Sequence, residues 1–151
     1  MERDIRAACP EDLQRIIFLT ACMANESPRY SALSFSIDKA TQLIQTLTSQ
    51  GGLFVAIKHE QVVGFIAGVV IEHFLSHDTF ACDIGVFVLP ECRGGSYFLR
   101  LVKTFEKWAK DKGAQEIQLG VSTGVHPEQT VRMYERLGYK MSSYGLIKAG
   151  V

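Results

Sequence analysis

Apolar residues recur along the chain at two periods, and the switches between them mark out the elements. Residues 4–8 read as a short strand, after which Pro10 stands where a helix starts and Leu13, Ile16, Ile17, Leu19 and Thr20 recur at helical spacing until about Asn25. Glu26-Ser27-Pro28-Arg29-Tyr30 is a polar, Pro-interrupted loop. Ser36 fits the N-cap of a second helix that runs to about Ser49 and ends at Gly51-Gly52. Residues 53–58 and 62–72 are β-branched and apolar around His59-Glu60-Gln61, the signature of an antiparallel hairpin.

The second arm of that hairpin is apolar on both faces, and so is the segment 80–89 that follows. Both therefore read as central strands covered by helices. Pro90 stops the latter strand. From Gly94 to Lys112, a stripe of Phe98, Leu101, Val102, Phe105, Trp108 and Ala109 predicts an amphipathic helix that Gly113 caps. Residues 116–122 put Ile117, Leu119 and Val121 on one strand face. His126-Pro127-Glu128 opens a last helix that carries Val131, Tyr134 and Leu137 on one side and ends at Gly138. Residues 139–147 are expected to close the chain as a strand. The order βααβββαβαβ implies an α/β layer protein, read as one domain over residues 1–151.

Composition adds exclusions. With 151 residues, 47% apolar and 21% charged side chains, the chain is neither disordered nor fibrous, and a core of this size needs no disulfide or structural metal. Sixteen Lys and Arg balance sixteen Asp and Glu, so no global field draws in polyanions and nucleic acid is not expected as a partner. Cys9, Cys22, Cys82 and Cys92 contain no Cys-x-x-Cys and read as reduced, mostly buried thiols. Glu2, Arg3 and Asp4 follow Met1, where a secretory signal would need an apolar centre, and the longest apolar run, 62–71, is about half of a ~20-residue membrane span. A cytoplasmic protein with no membrane partner is expected.

The chemistry concentrates at Val86-Phe87-Val88-Leu89-Pro90-Glu91-Cys92-Arg93-Gly94-Gly95-Ser96, where a buried strand breaks into glycines at the start of the strongest helix. A helix N-terminus offers unpaired N–H groups and partial positive charge, and glycines let an anion approach the backbone. Arg93 adds a planar cationic fork. The stretch is neither a P-loop, for want of Gly-Lys-Ser/Thr, nor a dinucleotide fingerprint, for want of a third Gly. A plain turn with a surface Arg would read the same way.

With its surroundings, this segment resembles the acetyl-CoA site of the GNAT superfamily of acyl-CoA-dependent N-acyltransferases. Four runs carry the resemblance: the strand ending Val88-Leu89-Pro90-Glu91-Cys92-Arg93-Gly94, the long helix to Gly113, the strand 117–121, and Tyr134-Glu135-Arg136-Leu137-Gly138-Tyr139. The order of elements agrees over nearly the whole chain. The resemblance implies a mixed, mostly antiparallel central sheet flanked by helices on both faces. It also implies acetyl-CoA as co-substrate with no metal. The pyrophosphate would rest on the loop Arg93, Gly94, Gly95, Ser96, Tyr97 and Phe98, where Ser96 and Phe98 replace the usual small residues and the glycines come early. The strand would part from its neighbour so that Phe87 and Val88 pair with the pantetheine arm.

The resemblance further implies transfer of acetyl to a primary amine by direct attack, with Tyr134 as general acid. Taken alone, Tyr134 continues the core stripe of Val131 and Leu137. Asp83, Glu72, His73 and Glu26 are the candidate bases. Asp83 lies five residues before Val88, about 16 Å along a straight strand, so it can serve only through a bulge or a water chain, and the other three are expected to matter at least as much. Glu72 and His73 point to opposite strand faces, so at most one can enter a site. Met23, Glu26, Tyr30 and Phe74 are candidates for the acceptor pocket. His73, His77 and Asp78 are spaced for a metal only on a helix, and this segment reads as a strand end and loop. The partner implied is a small-molecule or protein amine, and a homodimer is allowed. A non-catalytic acyl-CoA sensor is the alternative; a toxin that acetylates charged tRNA should show a basic stripe, against which zero net charge argues.

Overall fold

The computed structural model describes residues 4–151; the residues 1–3 invoked above against a secretory signal lie outside it. Five strands form one sheet in the order β1-β2-β3-β4-β5: β1 (Ile5–Ala7), β2 (Leu53–Lys58), β3 (Gln61–Glu72), β4 (Thr79–Val88) and β5 (Glu116–Gln118). All neighbours are antiparallel except β4 and β5, which are parallel. Four α-helices complete the fold: α1 (Leu13–Glu26), α2 (Ile37–Gln50), α3 (Tyr97–Asp111) and α4 (Pro127–Arg136). The Ser36 Oγ accepts the Lys39 N–H at 3.2 Å, the N-cap bond expected for α2.

Opposite faces of the sheet are covered by different helices. A Cβ on Gly68 would collide with the Phe105 ring of α3, whereas one on Gly85, paired with the neighbouring Ala67, would meet Met23 of α1 at 3.6 Å. Gly68 therefore marks the closest approach of α3 to the sheet, where only a missing side chain leaves room. The stripe read from the sequence is the one α3 buries: Leu101, Val102, Phe105 and Ala109 are fully enclosed. Val55 and Ala56, consecutive on β2, are both fully enclosed and residues 62–67 of β3 are buried at successive positions, so these strands are covered on both faces; β4 is covered only in part, with Ile84 43% exposed.

Two expectations fail. Residues 139–147 form no strand, and Met141, Tyr144, Leu146 and Ile147 are exposed. The apolar-polar alternation from Tyr139 slips phase at Ser143-Tyr144 and meets Gly145, and a strand exists only where a partner supplies its ladder. The strand expected over 116–122 is only Glu116–Gln118 long, because Asp83 Oδ1 accepts the Gly120 N–H at 3.0 Å and takes that amide out of the ladder. Likewise α3 begins at Tyr97 rather than Gly94, whose φ of 89° is left-handed and non-helical. Among the described residues no helix is long and apolar enough to cross a membrane.

Candidate active site

The early end of β5 opens the site. β4 pairs with β3 along its whole length, but with β5 only through Phe80, Ala81 and Cys82. From Asp83 onward one edge of β4 is free of sheet partners, and a cleft of about 450 Å³ occupies the gap. Its walls come from β4, the end of α1, the start of α3, residues 120–126 and the inner face of α4. The loop after α1 is tied across the gap: Tyr30 and Ser122 share a hydroxyl–hydroxyl bond of 2.6 Å, and the fully buried Ser27 hydroxyl donates to the Thr123 carbonyl. A wider groove of about 1160 Å³ lies on the far side of Asp83 and Tyr134, between residues 116–122 and 139–147.

Asp83 reaches the cleft because β4 carries a bulge. The β3–β4 register slips between Ala67, which faces Gly85, and Gly68, which faces Asp83, leaving Ile84 unpaired in the register. The extra residue shortens the path to Val88 by about one strand rise, from about 16 to about 13 Å, so a proton would still have to cross between them through water. Burial pushes the Asp83 carboxyl up to about 6, against the opposing pull of the Gly120 N–H. Tyr134, only 5% exposed, projects from α4 into the same space and packs at a tilt against Phe98 and Tyr139, each with ring centroids 5.7 Å away. Burial, then the Asp83 charge, then Tyr139 raise its hydroxyl above the ordinary tyrosine range, so it keeps its proton throughout neutral pH. Tyr134 thus packs as its helical spacing predicts, and the same side chain also lines the cleft.

The loop at the start of α3 is shaped to accept an anion. Ser96 makes no side-chain cap, so the first-turn N–H groups of α3 are left to other acceptors. Nothing lies within 4 Å of where a Cβ would stand on Gly94 or Gly95, and both glycines line the cleft together with Phe98. Ser96 and Tyr97 do not reach it; Tyr97 lies under the Arg100 guanidinium at 5.9 Å instead. Arg93 lines the cleft with its donors already engaged. Its Nε donates to the Val88 carbonyl at 2.8 Å, and its two terminal nitrogens grip both Glu26 oxygens at 2.8 and 2.6 Å. That pairing holds Glu26 below the usual carboxylate range, which makes it a poor base.

Glu72 and His73 are not brought to the cleft. They sit at the far tip of the β3–β4 hairpin, where Glu72 pairs with His77 at 2.8 Å and His73 Nδ1 accepts the Leu75 N–H at 3.1 Å. A long two-stranded arm carries its tip away from the sheet centre, so the expectation that they rival Asp83 fails on distance along the strand. Phe74, 86% exposed, does not line the cleft either, while Met23, Glu26 and Tyr30 do. Sequence reasoning missed Ser122, His126 and Met133 as cleft residues. Ser122 and His126 lie in a segment whose only local signal is its turn chemistry, His126 itself being left-handed at φ 43°, and Met133 lies on α4 outside the stripe that the periodicity picked out.

Residues 17–139 match the acetyltransferase (GNAT) family, and the chain belongs to it. Solved structures with the same fold include the aminoglycoside acetyltransferase AAC(6')-Iy in complex with a CoA-linked bisubstrate analogue, 16% identical, TM-score 0.78, with 98% of this chain and 97% of that one covered. They also include the aminoglycoside 6'-N-acetyltransferase AAC(6')-IG of Acinetobacter haemolyticus, 16% identical, TM-score 0.73, with 97% of each chain covered. A transcriptional regulator from Bacillus halodurans shares the fold at 22% identity and TM-score 0.73, over 97% of this chain and 98% of that one. No curated protein sequence matches the chain. The five-stranded mixed sheet flanked by helices is thus the GNAT fold expected from the resemblance.

Proposed function

We propose that this protein transfers an acetyl group from acetyl-CoA to a primary amine by direct attack, without a covalent enzyme intermediate. One observation carries the reading: where β4 leaves β5, a single cleft holds a helix start without a side-chain cap, a free strand edge, a half-buried carboxylate and a buried tyrosine. Acetyl-CoA supplies an activated acyl group and a thiolate leaving group. Gly94 and Gly95 at the start of α3 would hold the pyrophosphate, and the backbone of Phe87 and Val88 on the free edge would hold the pantetheine arm. That cyclic scaffold of backbone donors needs no particular side chain, which is why Ser96 and Phe98 can stand where small residues are usual.

Asp83, ionised above about pH 6, drains the proton of the incoming amine through water in the cleft. Tyr134 returns a proton to the departing thiolate. The two steps help each other. The Asp83 charge is one cause of the raised Tyr134 hydroxyl, so protonation of Asp83 lowers the cost of the Tyr134 proton at the moment it is needed. The fold shared with aminoglycoside acetyltransferases supports an amine acceptor, and the apolar wall of Met23, Phe87 and Met133 favours a small molecule over an extended protein segment.

The test is acetyl transfer from acetyl-CoA to an amine panel that includes spermidine, kanamycin and a lysine peptide. Tyr134→Phe should leave acetyl-CoA affinity nearly unchanged and lower kcat by about 10²-fold or more. A melting temperature that stays put in saturating acetyl-CoA defeats the reading. Binding without turnover on any amine selects the sensor alternative.

A further inference from the structure

Arg93 and Glu26 are 67 residues apart and meet at the mouth of the cleft as a two-pronged ion pair, each about one-third exposed. Glu26 is the last residue of α1, and Arg93 stands one residue before Gly94. The guanidinium is held on three sides: the Glu26 carboxylate, the Val88 carbonyl, and the Phe87 ring, whose centroid lies 5.4 Å away. With its end-on edge on Glu26 and its Nε on the Val88 carbonyl, the guanidinium has no two-pronged edge left for a second oxyanion. A phosphate arriving at Gly94 and Gly95 would therefore find the nearest cation already neutralised, with a carboxylate beside it.

Resting on the proposed use of this cleft for CoA, we infer that Glu26 is a positioning residue that competes with the CoA pyrophosphate for Arg93. In the free protein the pair is closed. CoA draws the guanidinium from Glu26 toward the phosphates, and the released carboxylate turns to the cleft as a counter-charge for a cationic acceptor. Cofactor binding thereby completes the acidic side of the cleft. Energetically the exchange is near balance by design of its parts: one charge-assisted bidentate pair is lost and another is formed. Glu26 so used is neither the base nor a pyrophosphate ligand, and its role is visible only because Arg93 is committed elsewhere.

Isothermal titration with CoA on four proteins tests this: wild type, Glu26→Gln, Arg93→Met and the double variant. Competition predicts that Glu26→Gln binds CoA about tenfold tighter, since its neutral amide frees Arg93, and that Arg93→Met binds about tenfold weaker. In the double variant the gain from Glu26→Gln disappears, because nothing is left to release. A merely structural Glu26 would give weaker or equal binding on Glu26→Gln, and either result overturns the inference while leaving the CoA reading intact. No CoA binding by the wild-type protein removes both. Should Glu26→Gln fold poorly, Glu26→Ala carries the same expectation. Turnover adds a second readout: Glu26→Gln should raise KM for a polycation such as spermidine about tenfold and leave kcat within a few-fold, and an unchanged KM would count against the released counter-charge.

Discussion

The β3–β4 hairpin bears titratable side chains in two regions that the fold treats oppositely. At its tip Glu72, His73, His77 and Asp78 are exposed: Glu72 pairs with His77, His73 accepts the Leu75 N–H, and the Asp78 carboxylate accepts the Ser76 hydroxyl. Halfway along β4, Asp83 is half-buried, accepts one backbone N–H, and is pushed up to about 6 by the loss of water around it. The residue types are alike and the chain segments adjacent, so the difference lies wholly in the surroundings. A carboxylate in water with a flexible partner costs and gains little. One taken out of water beside a tyrosine has its charge state coupled to everything nearby.

The sharpest break of that comparison is catalytic. Asp83→Asn should lower kcat/KM by about 10²- to 10⁴-fold, while Glu72→Gln and His73→Gln change it by no more than a few-fold, all measured on the best amine of the panel. Loss of activity in either tip variant alone would reverse the assignment. The bulge can be tested next. Gly68→Ala drives a Cβ into Phe105 beside the register slip, and should cost about 3 kcal/mol in denaturant unfolding and lower turnover as Asp83 shifts.

A smaller effect separates the regions by pH. The Asp83 carboxyl is raised from 3.8 in the unfolded chain to about 6 in the fold, so folding favours its protonated form. Its contribution is fully present below about pH 4 and is lost as pH rises through about 6, a fall of about 2–3 kcal/mol. Wild type minus Asp83→Asn, from urea curves between pH 4 and 8, should trace that fall, and the turnover of wild type should rise across the same interval as the base ionises. A flat difference would mean that Asp83 is as wet as the tip. Smallest of all, Glu72→Gln should move stability by less than about 0.5 kcal/mol at any salt concentration.

Most of the fold could be read from the chain because its signals are local. Ser36 caps α2, the apolar stripe of α3 buries the residues its spacing names, and Pro90 with Gly94 stops β4 and delays α3. The last strand could not be read, since alternation over residues 139–147 says nothing about whether β5 offers a free ladder beside it. The site divides in the same way. Arg93, Gly94, Gly95 and Tyr134 announce themselves by motif, and Ser27, Ser122 and His126 do not.

Sequence by itself determined most of the elements and, through its resemblance to the family, the class of protein, because periodicity, caps and glycine positions act over a few residues. Tertiary structure alone decided which candidate carboxylate is half-buried and which is neutralised. A one-residue slip between Ala67 and Gly68 placed Asp83 in the cleft, and the meeting of the α1 end with the β4 end joined Glu26 to Arg93. Charge state and proton affinity depend on what lies within a few ångströms, and for these residues those neighbours come from segments dozens of positions away.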